Sequence, residues 1–547
     1  MKSLKIKLYT VVLLILSAWI FNSCQNSSEN EQKYYDIAHN NGIIVNEGYN
    51  RCMNYVTDWL KIADPETGLI PQNLNKGKDV WNGHNSAADN YPFMVLTSYI
   101  LDDSLFHGRM LDMLNTEKRL TSRLGSLPAP FSFSKQNFLN EKMDTSKVIF
   151  GASEYIKDGL LPITEYIGDS PWSDRMIEML NDLSKHNRIA ENLKGLFFGN
   201  SVDTEVNGEM LQTLSRLYWM TGNSEYLNWS IEIADYYLIN NPEKLLQAKR
   251  LRLRDHGCEI IGGLSELYVT LHYRDQNKKD AYKENLYKIL NRILEIGINE
   301  DGMFYNEINM QSGDVVDRKI VDNWGYLYNA YYAVFMVDKE TKYREAVLTV
   351  LNNLYPKYSN YNWENGSSDG FADAIESGIC FYNREPDANL KIWIDREIQY
   401  MWAIQDNKIK NSGIIEGWHG DGNFARTSIL YCLWKTSGLI LKPWREDLVM
   451  GTYKKNGTLY VSISADEDWN GTLYFDTNRH KEQMNLPIDY TRINHFPEWY
   501  TLADDDRYRL TINDQKSKRR GAELKNGIKI NYKKDNAYQI KIESNNY

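Results

Sequence analysis

The sequence predicts a mainly α protein, an (α/α)6-7 toroid of helical hairpins with a C-terminal β-sandwich domain. Three features predict it. Two kinds of helix alternate along residues 41–443, the second kind carries little charge past its first turn, and after Pro443-Trp444 the apolar spacing changes from helical to alternating.

The first kind of helix is amphipathic: Val45 to Ile62, Ser104 to Leu120, Pro171 to Lys185, Ser224 to Asn240, Lys279 to Ile296, Lys342 to Leu354 and Asn389 to Ile404. Each shows apolar residues at helical spacing and one charged face, as expected of an outer layer. The second kind comprises Ser86 to Leu101, Ser153 to Ile167, Gly208 to Thr221, Asp255 to His272, Asp322 to Met336, Phe371 to Asn383 and Asn423 to Thr436. A helix without a polar face is buried on both sides, so these form the inner ring. Each pair leaves a flank that only its neighbour covers, which predicts ring closure with six or seven pairs. Over 444–547, short alternating runs such as Thr458 to Ile463 and Tyr508 to Ile512, separated by Asn-Gly, Lys-Asn and Asp-rich turns, predict the sandwich.

At the other end, Lys2, Lys5 and Lys7 precede the apolar run Leu8 to Phe21, which is followed by Asn22-Ser23-Cys24. This pattern reads as an export signal over 1–24, and its end resembles the lipobox of bacterial lipoproteins, with Cys24 lipidated. Residues 25–40 then read as a flexible tether, and the expected location is the bacterial outer membrane, at the cell surface or its periplasmic face.

Lys and Arg number 63 against 73 Asp and Glu, a formal charge of −10 with the two signs interspersed. That balance excludes a nucleic-acid partner and a polybasic membrane patch. Cys52, Cys258, Cys380 and Cys432 lack metal or redox spacing and read as core residues, with one disulfide left open. The 38 Tyr and 15 Trp exceed what a core needs, and such rings serve as platforms in sugar clefts.

The unusual polar residues cluster in the loops entering the inner helices. Helix capping accounts for Ser86, Asp322 and Asp369, and competes for Asp421. It does not call for carboxylates one turn further in, and glycoside cleavage needs two carboxyl groups, one to protonate the leaving oxygen and one as base or nucleophile. The catalytic candidates are therefore Glu209 and Asp373 first, then Asp89, His256 and Glu259, with Glu376 as a further inner carboxylate. Substrate-binding candidates are His84, Asn85, Tyr91, Arg254, Asp255, Trp324, Tyr326, His419, Asp421 and Arg426. Arg254 is the natural clamp for a sugar carboxylate. No histidine shows metal-ligand spacing, and there is no phosphate loop or nucleophile elbow, so no metal or cofactor is expected.

Four segments carry a family resemblance: Ala87-Ala88-Asp89-Asn90-Tyr91-Pro92-Phe93, Arg254-Asp255-His256-Gly257, Phe371-Ala372-Asp373-Ala374-Ile375-Glu376, and Asp421-Gly422-Asn423-Phe424-Ala425-Arg426-Thr427. On these, residues 44–442 resemble the six-hairpin glycosidases of Bacteroidetes. Within that group the layout is similar to unsaturated glucuronyl hydrolases and to the exo-β-glucuronidases of glycoside hydrolase family 154. The resemblance implies an (α/α) barrel and hydrolysis at a uronic-acid residue of a complex glycan. The anchor, the sandwich and the longer barrel depart from the glucuronyl hydrolases, so their two catalytic aspartates are not transferred. Two other readings stay open. One is a lyase using Tyr91, Tyr326, His256 and Arg254 for β-elimination. The other is a surface lipoprotein that binds glycan without catalysis.

Overall fold

All seven expected outer–inner pairs are present in the computed structural model, which describes residues 2–74, 77–189, 201–408 and 422–544. The inner segments are Gly83–Asn90 running into Tyr91–Leu101, Thr145–Glu154 running through Tyr155–Leu160 into Leu161–Ile167, Ser201–Thr221, Glu259–Arg274, Trp324–Asp338, Ser368–Arg384 and Asn423–Lys435. Burial separates the two layers as the charge pattern predicted. Every residue from Glu259 to Leu271 is buried, whereas the outer helix Gln276–Ile296 buries only Lys279, Tyr282, Leu286, Ile289, Leu290 and Ile293, a stripe at helical spacing.

By contacts the chain divides into two units, Tyr49–Tyr431 with Thr477–Glu498, and Met1–Gly48 with Cys432–Asp476 and Trp499–Tyr547. In the first, the inner ring closes on itself: the Gly422 N–H donates to the Asp89 carbonyl (3.1 Å), joining the last inner segment to the first. Small residues set the spacing within the ring. A Cβ on Gly208 would lie 2.3 Å from the backbone of Glu259 and Ile260, and one on Gly263 would lie 2.5 Å from the Gly208 carbonyl oxygen.

Thr477–Glu498 lies within 444–547, where the sequence predicted only sandwich, yet it threads the helical ring. Its backbone and side chains meet five inner segments in turn. Asp489 takes Arg384 (2.6 Å), the Tyr490 hydroxyl donates to Glu266 (2.8 Å) and Thr491 to the Asn329 carbonyl (2.8 Å). Arg492 pairs with Glu165 (3.0 Å), and the Ile493 carbonyl accepts from Arg216 (3.0 Å). Buried charges are tolerable only with such partners, so the segment is tightly specified.

The second unit is β-rich. Five antiparallel strands run in the order Val449–Lys455, Thr458–Ser464, Tyr538–Ser544, Arg507–Ile512, Gln515–Arg520, and a smaller sheet orders Ile528–Tyr532, Trp469–Tyr474, Ile440–Lys442. Leu439, Val461, Leu473, Leu510 and Ile542 belong to one apolar cluster fed by both sheets. The expected tether differs from what is found: residues 25–40 continue the helix Lys2–Ile62, and from Glu31 the side chains pack on the large sheet. Tyr34 stacks on Tyr453 at 5.5 Å and Tyr35 meets Tyr460 edge-on at 5.4 Å, burial that a polar-looking sequence conceals. Cys52, Cys258, Cys380 and Cys432 are buried free thiols.

The close crossing at Gly208 gives a test. Gly208→Ala should destabilise the fold by about 1–3 kcal/mol through overpacking against backbone, whereas Gly108→Ala, whose Cβ meets nothing within 4 Å, should not. Equal denaturation midpoints for the two variants would contradict the crossing.

Candidate active site

The N-terminal ends of the inner segments share one rim; one segment begins in a π-helical turn, Gly83–Asn90, and the next carries one in its middle, Tyr155–Leu160. Such turns rotate side chains out of the regular helical register and recur at functional sites. The first is capped by Asn82, whose side chain accepts from the N–H groups of Asn85 and Ser86, and Asn85 in turn donates to Asp89 (3.2 Å). Ser86 is therefore capped and not the cap. Likewise the helix Ser368–Arg384 is capped by Ser367, and Asp369 instead accepts from Asn423 (2.6 Å). The helix Trp324–Asp338 has Asn323 at its N-cap position, preceded by Asp322.

His256 is the geometric centre of the first half of the site. It sits in left-handed backbone (φ 64°), beside a glycine whose Cβ would lie 2.4 Å from the Arg252 carbonyl oxygen. This tight turn aims the imidazole at three carboxylates. Nδ1 makes a short contact with Glu205 and lies 3.6 Å from Glu154, while Nε2 lies 3.0 Å from Asp255. Lys157 is buried and pairs with Asp158 at 2.7 Å.

Carboxylates outnumber cations here, and the titration of each follows from its surroundings. Burial, with Glu154 beside it, pushes Glu205 up to about 7 although His256 pulls the other way. Burial likewise takes Glu259 to about 7 and, with Glu154 adding repulsion, holds Glu209 and Asp89 well above the usual range. Burial also works against the Asp255 anion, yet His256 outweighs it and holds Asp255 below its ordinary value. Asp255 in return keeps the imidazole protonated. Glu209 and Glu259 are 1% and 2% exposed, and each has a carboxyl oxygen without a hydrogen-bond partner among the described residues.

A second half is organised by Arg426, which is 4% exposed. Its guanidinium touches Glu376 closely, Asp373 at 3.2 Å and the Tyr326 hydroxyl at 2.7 Å. The remaining terminal nitrogen donates to the Asn494 side-chain oxygen at 2.7 Å, and the Asn494 amide donates to Asp158. Asn494, the tip of the threaded segment, thus joins the two halves.

A cavity of about 970 Å3 opens beside this cluster, lined by Glu205, His256 and Arg254 together with Lys147, Lys244, Arg250 and Arg252. Asp144, Glu307 and Asp317 also line it, so its wall carries both signs, with basic side chains in the majority on a chain of net charge −10. Arg254 pairs with Glu364 (3.0 Å), and Arg250 with Glu307 (2.5 Å).

Of the residues expected from sequence, Glu209, Asp89, Glu259, His256, Asp255 and Arg254 converge on this rim, and His84 packs against Phe150 of the cavity wall (5.8 Å). Asp373, Glu376, Tyr326 and Arg426 form their own buried network. Two expectations are corrected. Tyr91 is buried, donating to the Met110 carbonyl (2.6 Å) and accepting from Trp172 (2.9 Å), so it serves the core. Trp324 is fully buried and stacks on Phe381 at 6.0 Å. His419 and Asp421 lie outside the described residues. Glu154, Lys157, Asp158 and Glu205 fall in the polar segments that the sequence marks at the inner-helix entrances, without a catalytic or binding role assigned to them there, and Asn494 lies outside those segments. For Asn494 a signal existed: the long strand-free stretch between Phe475 and Tyr508 is unusual unless it does something.

Ligand atoms of Glu154, Glu205 and His256 lie within 4.8 Å of one another, as do those of Glu154, Asp158 and Glu209, which is the reach a divalent cation needs. The positive charge these carboxylates face is already supplied by protonated His256 and by Lys157.

No protein family model and no curated protein matches the chain. Several solved structures are similar in layout. The family 76 α-1,6-mannanase of Salegentibacter sp. HEL1_6 is 11% identical over 70% of this chain and 98% of its own, with a TM-score of 0.39. Cellobiose 2-epimerase from Bacillus thermoamylovorans is 13% identical over 71% and 98%, with a TM-score of 0.39. A family 127 β-L-arabinofuranosidase from Geobacillus stearothermophilus T6 is 12% identical over 72% of each chain, with a TM-score of 0.32.

Removing the guanidinium tests the buried network. Arg426→Met leaves two buried carboxyl groups unpaired and should cost about 3–5 kcal/mol at neutral pH. Burial already raises Asp373 and Glu376, and without Arg426 both rise further. Raised carboxyl groups contribute stability that is complete below their unfolded values and is lost as pH rises through the folded ones. The deficit should therefore shrink on acidification. A deficit independent of pH, measured by urea denaturation, would show that these carboxyls do not sense Arg426.

Proposed function

We propose that this chain is a glycoside hydrolase acting at a uronic-acid residue, of glucuronate type, in a complex glycan. The observation that supports it is a cavity lined by several arginines and lysines beside carboxyl groups whose titrations are driven apart. Arg252 and Arg254 offer planar donors to a sugar carboxylate. Glu205, protonated near neutrality and facing the cavity, is placed to give its proton to the glycosidic oxygen as the bond to the anomeric carbon breaks. Asp255, held ionised, is the base that takes a proton from the water forming the new bond. His256 lies between them and holds Asp255 ionised, whereas burial and the neighbouring Glu154 keep Glu205 protonated against the pull of His256.

This reading moves the acid and base roles from Glu209 and Asp373 to Glu205 and Asp255. Asp373 is committed to Arg426, and Glu209 lies deeper than Glu205.

We also infer export and lipidation at Cys24, supported by the basic and apolar run before it. Fatty-acid labelling of the expressed chain should disappear in Cys24→Ala; unchanged labelling would place the lipid elsewhere.

The activity is tested on uronate-containing oligosaccharides. New reducing ends without ultraviolet absorbance are expected, with a rate that falls as pH rises through about 7, where Glu205 loses its proton. Glu205→Gln should lower kcat by roughly a hundredfold or more, and Arg252→Ala should mainly raise KM. A product absorbing as a 4,5-unsaturated uronate would mean a lyase. Binding without turnover would mean a glycan-capture protein, and full activity in Glu205→Gln would remove the acid assignment.

A further inference from the structure

The large sheet of the β-rich unit carries charges on its outward face that folding does not call for. Strands Arg507–Ile512 and Gln515–Arg520 pair with Arg507 opposite Arg520, Arg509 opposite Lys518 and Thr511 opposite Lys516. The intervening Tyr508 and Leu510 belong to the apolar core. Alternation along a strand therefore puts Arg507, Arg509, Lys516, Lys518 and Arg520 together on the other face. Two of the directly opposed pairs are like-charged, an arrangement that lowers stability.

Protection of an exposed edge accounts for basic residues on the outermost strand. It does not account for arginines on the next strand inward, placed directly opposite them. Neutralisation within the sheet is also incomplete. Lys541 takes up Glu31 (2.6 Å) and shares Glu543 (3.3 Å), which reaches Arg509 only at 4.0 Å. Arg507, Lys516 and Lys518 form no ion pair among the described residues. The helix Lys2–Ile62 covers Tyr453, Tyr460 and Lys541 on this face, leaving the cationic rows exposed.

We propose that this face is a binding surface for an acidic polysaccharide, whose carboxylates sit on the two cationic rows. The rows are spaced about 4.8 Å apart, with charges about 6.8 Å apart along each strand. That makes a flat, narrow grid suited to one extended chain with repeating anionic groups. Thr511, opposite Lys516 at the end of the inner row, is the uncharged outward residue of the paired rows, which carry no apolar side chain to enter a lipid layer and no ring to stack on a base. The choice of a glycan as the polyanion rests on the carbohydrate reading of the helical unit; the cationic face does not.

The test uses the full chain in gels containing polygalacturonate or a neutral galactan. Retardation by polygalacturonate alone is expected, fading with added salt. Arg509→Gln combined with Lys518→Gln should weaken it roughly tenfold or more, the equivalent of one lost charge-assisted hydrogen bond. The same variant should melt at the same or a higher temperature, because opposed like charges are removed. Unchanged retardation in the variant, equal retardation by galactan, or tighter binding to phosphatidylglycerol vesicles or duplex DNA would overturn the proposal, as would a lowered melting temperature. Glu205→Gln should be retarded like the parent chain. Retardation without hydrolysis upholds the surface and removes the activity, and hydrolysis without retardation does the reverse.

Discussion

The buried guanidinium of Arg426 is the interaction on which the arrangement of the rim depends. It is contributed by the last inner segment, yet its partners lie on two other inner helices and on the threaded segment. Placing a full charge in that interior is tolerable only because every partner is in position at once. The pair Asp373 and Glu376, one turn apart on Ser368–Arg384, supplies the compensating charge. Asn494 then extends the same network to Asp158 and so to the carboxylates around His256. Geometry in the His256 cluster is thus inherited from a charge balance made elsewhere in the ring.

The two halves of the rim manage surplus negative charge differently. Around Arg426, each acid has a strong fixed partner. Around His256, carboxyl groups outnumber cations, and protons make up the difference, leaving Glu205 and Glu259 to titrate near neutrality. A group that exchanges its proton easily at working pH is what acid–base chemistry needs. The cavity opens beside that half.

The helical pairs were legible in the sequence because burial of a helix on one side or on both leaves a direct mark on residue type. Val45 to Ile62 and Asp255 to His272 differ in that way, and the structure places them in the expected layers. The rim was legible for a related reason: Glu209 and Glu259 are polar residues in otherwise apolar helices, and Asp89 and His256 stand in polar segments that lead into such helices. Roles within it were not. Tyr91 and Trp324 look like sugar platforms by residue type and differ from one only in where the chain turns them. The cationic sheet face was hidden because Arg507 and Arg520 meet only through strand pairing. Charge that reads as interspersed along a chain can still be sorted onto one side of a sheet.

The threading of Thr477–Glu498 has a consequence for how the molecule is made. Asp158 and Asn494 touch across 336 positions of sequence. A chain that emerges N-terminus first can form helical pairs as it lengthens, but the middle of its ring stays unfilled until almost all of it has been synthesised. The last contacts to form are also among the most distant in sequence, and distant contacts are the slowest to close. Until then, Glu165, Arg216 and Glu266 lack the groups that the late segment brings to them. The nascent barrel therefore waits, incomplete, for a piece encoded after all of the inner helices around it, and a chain terminated early would carry every residue of the His256 cluster without the contacts that segment brings.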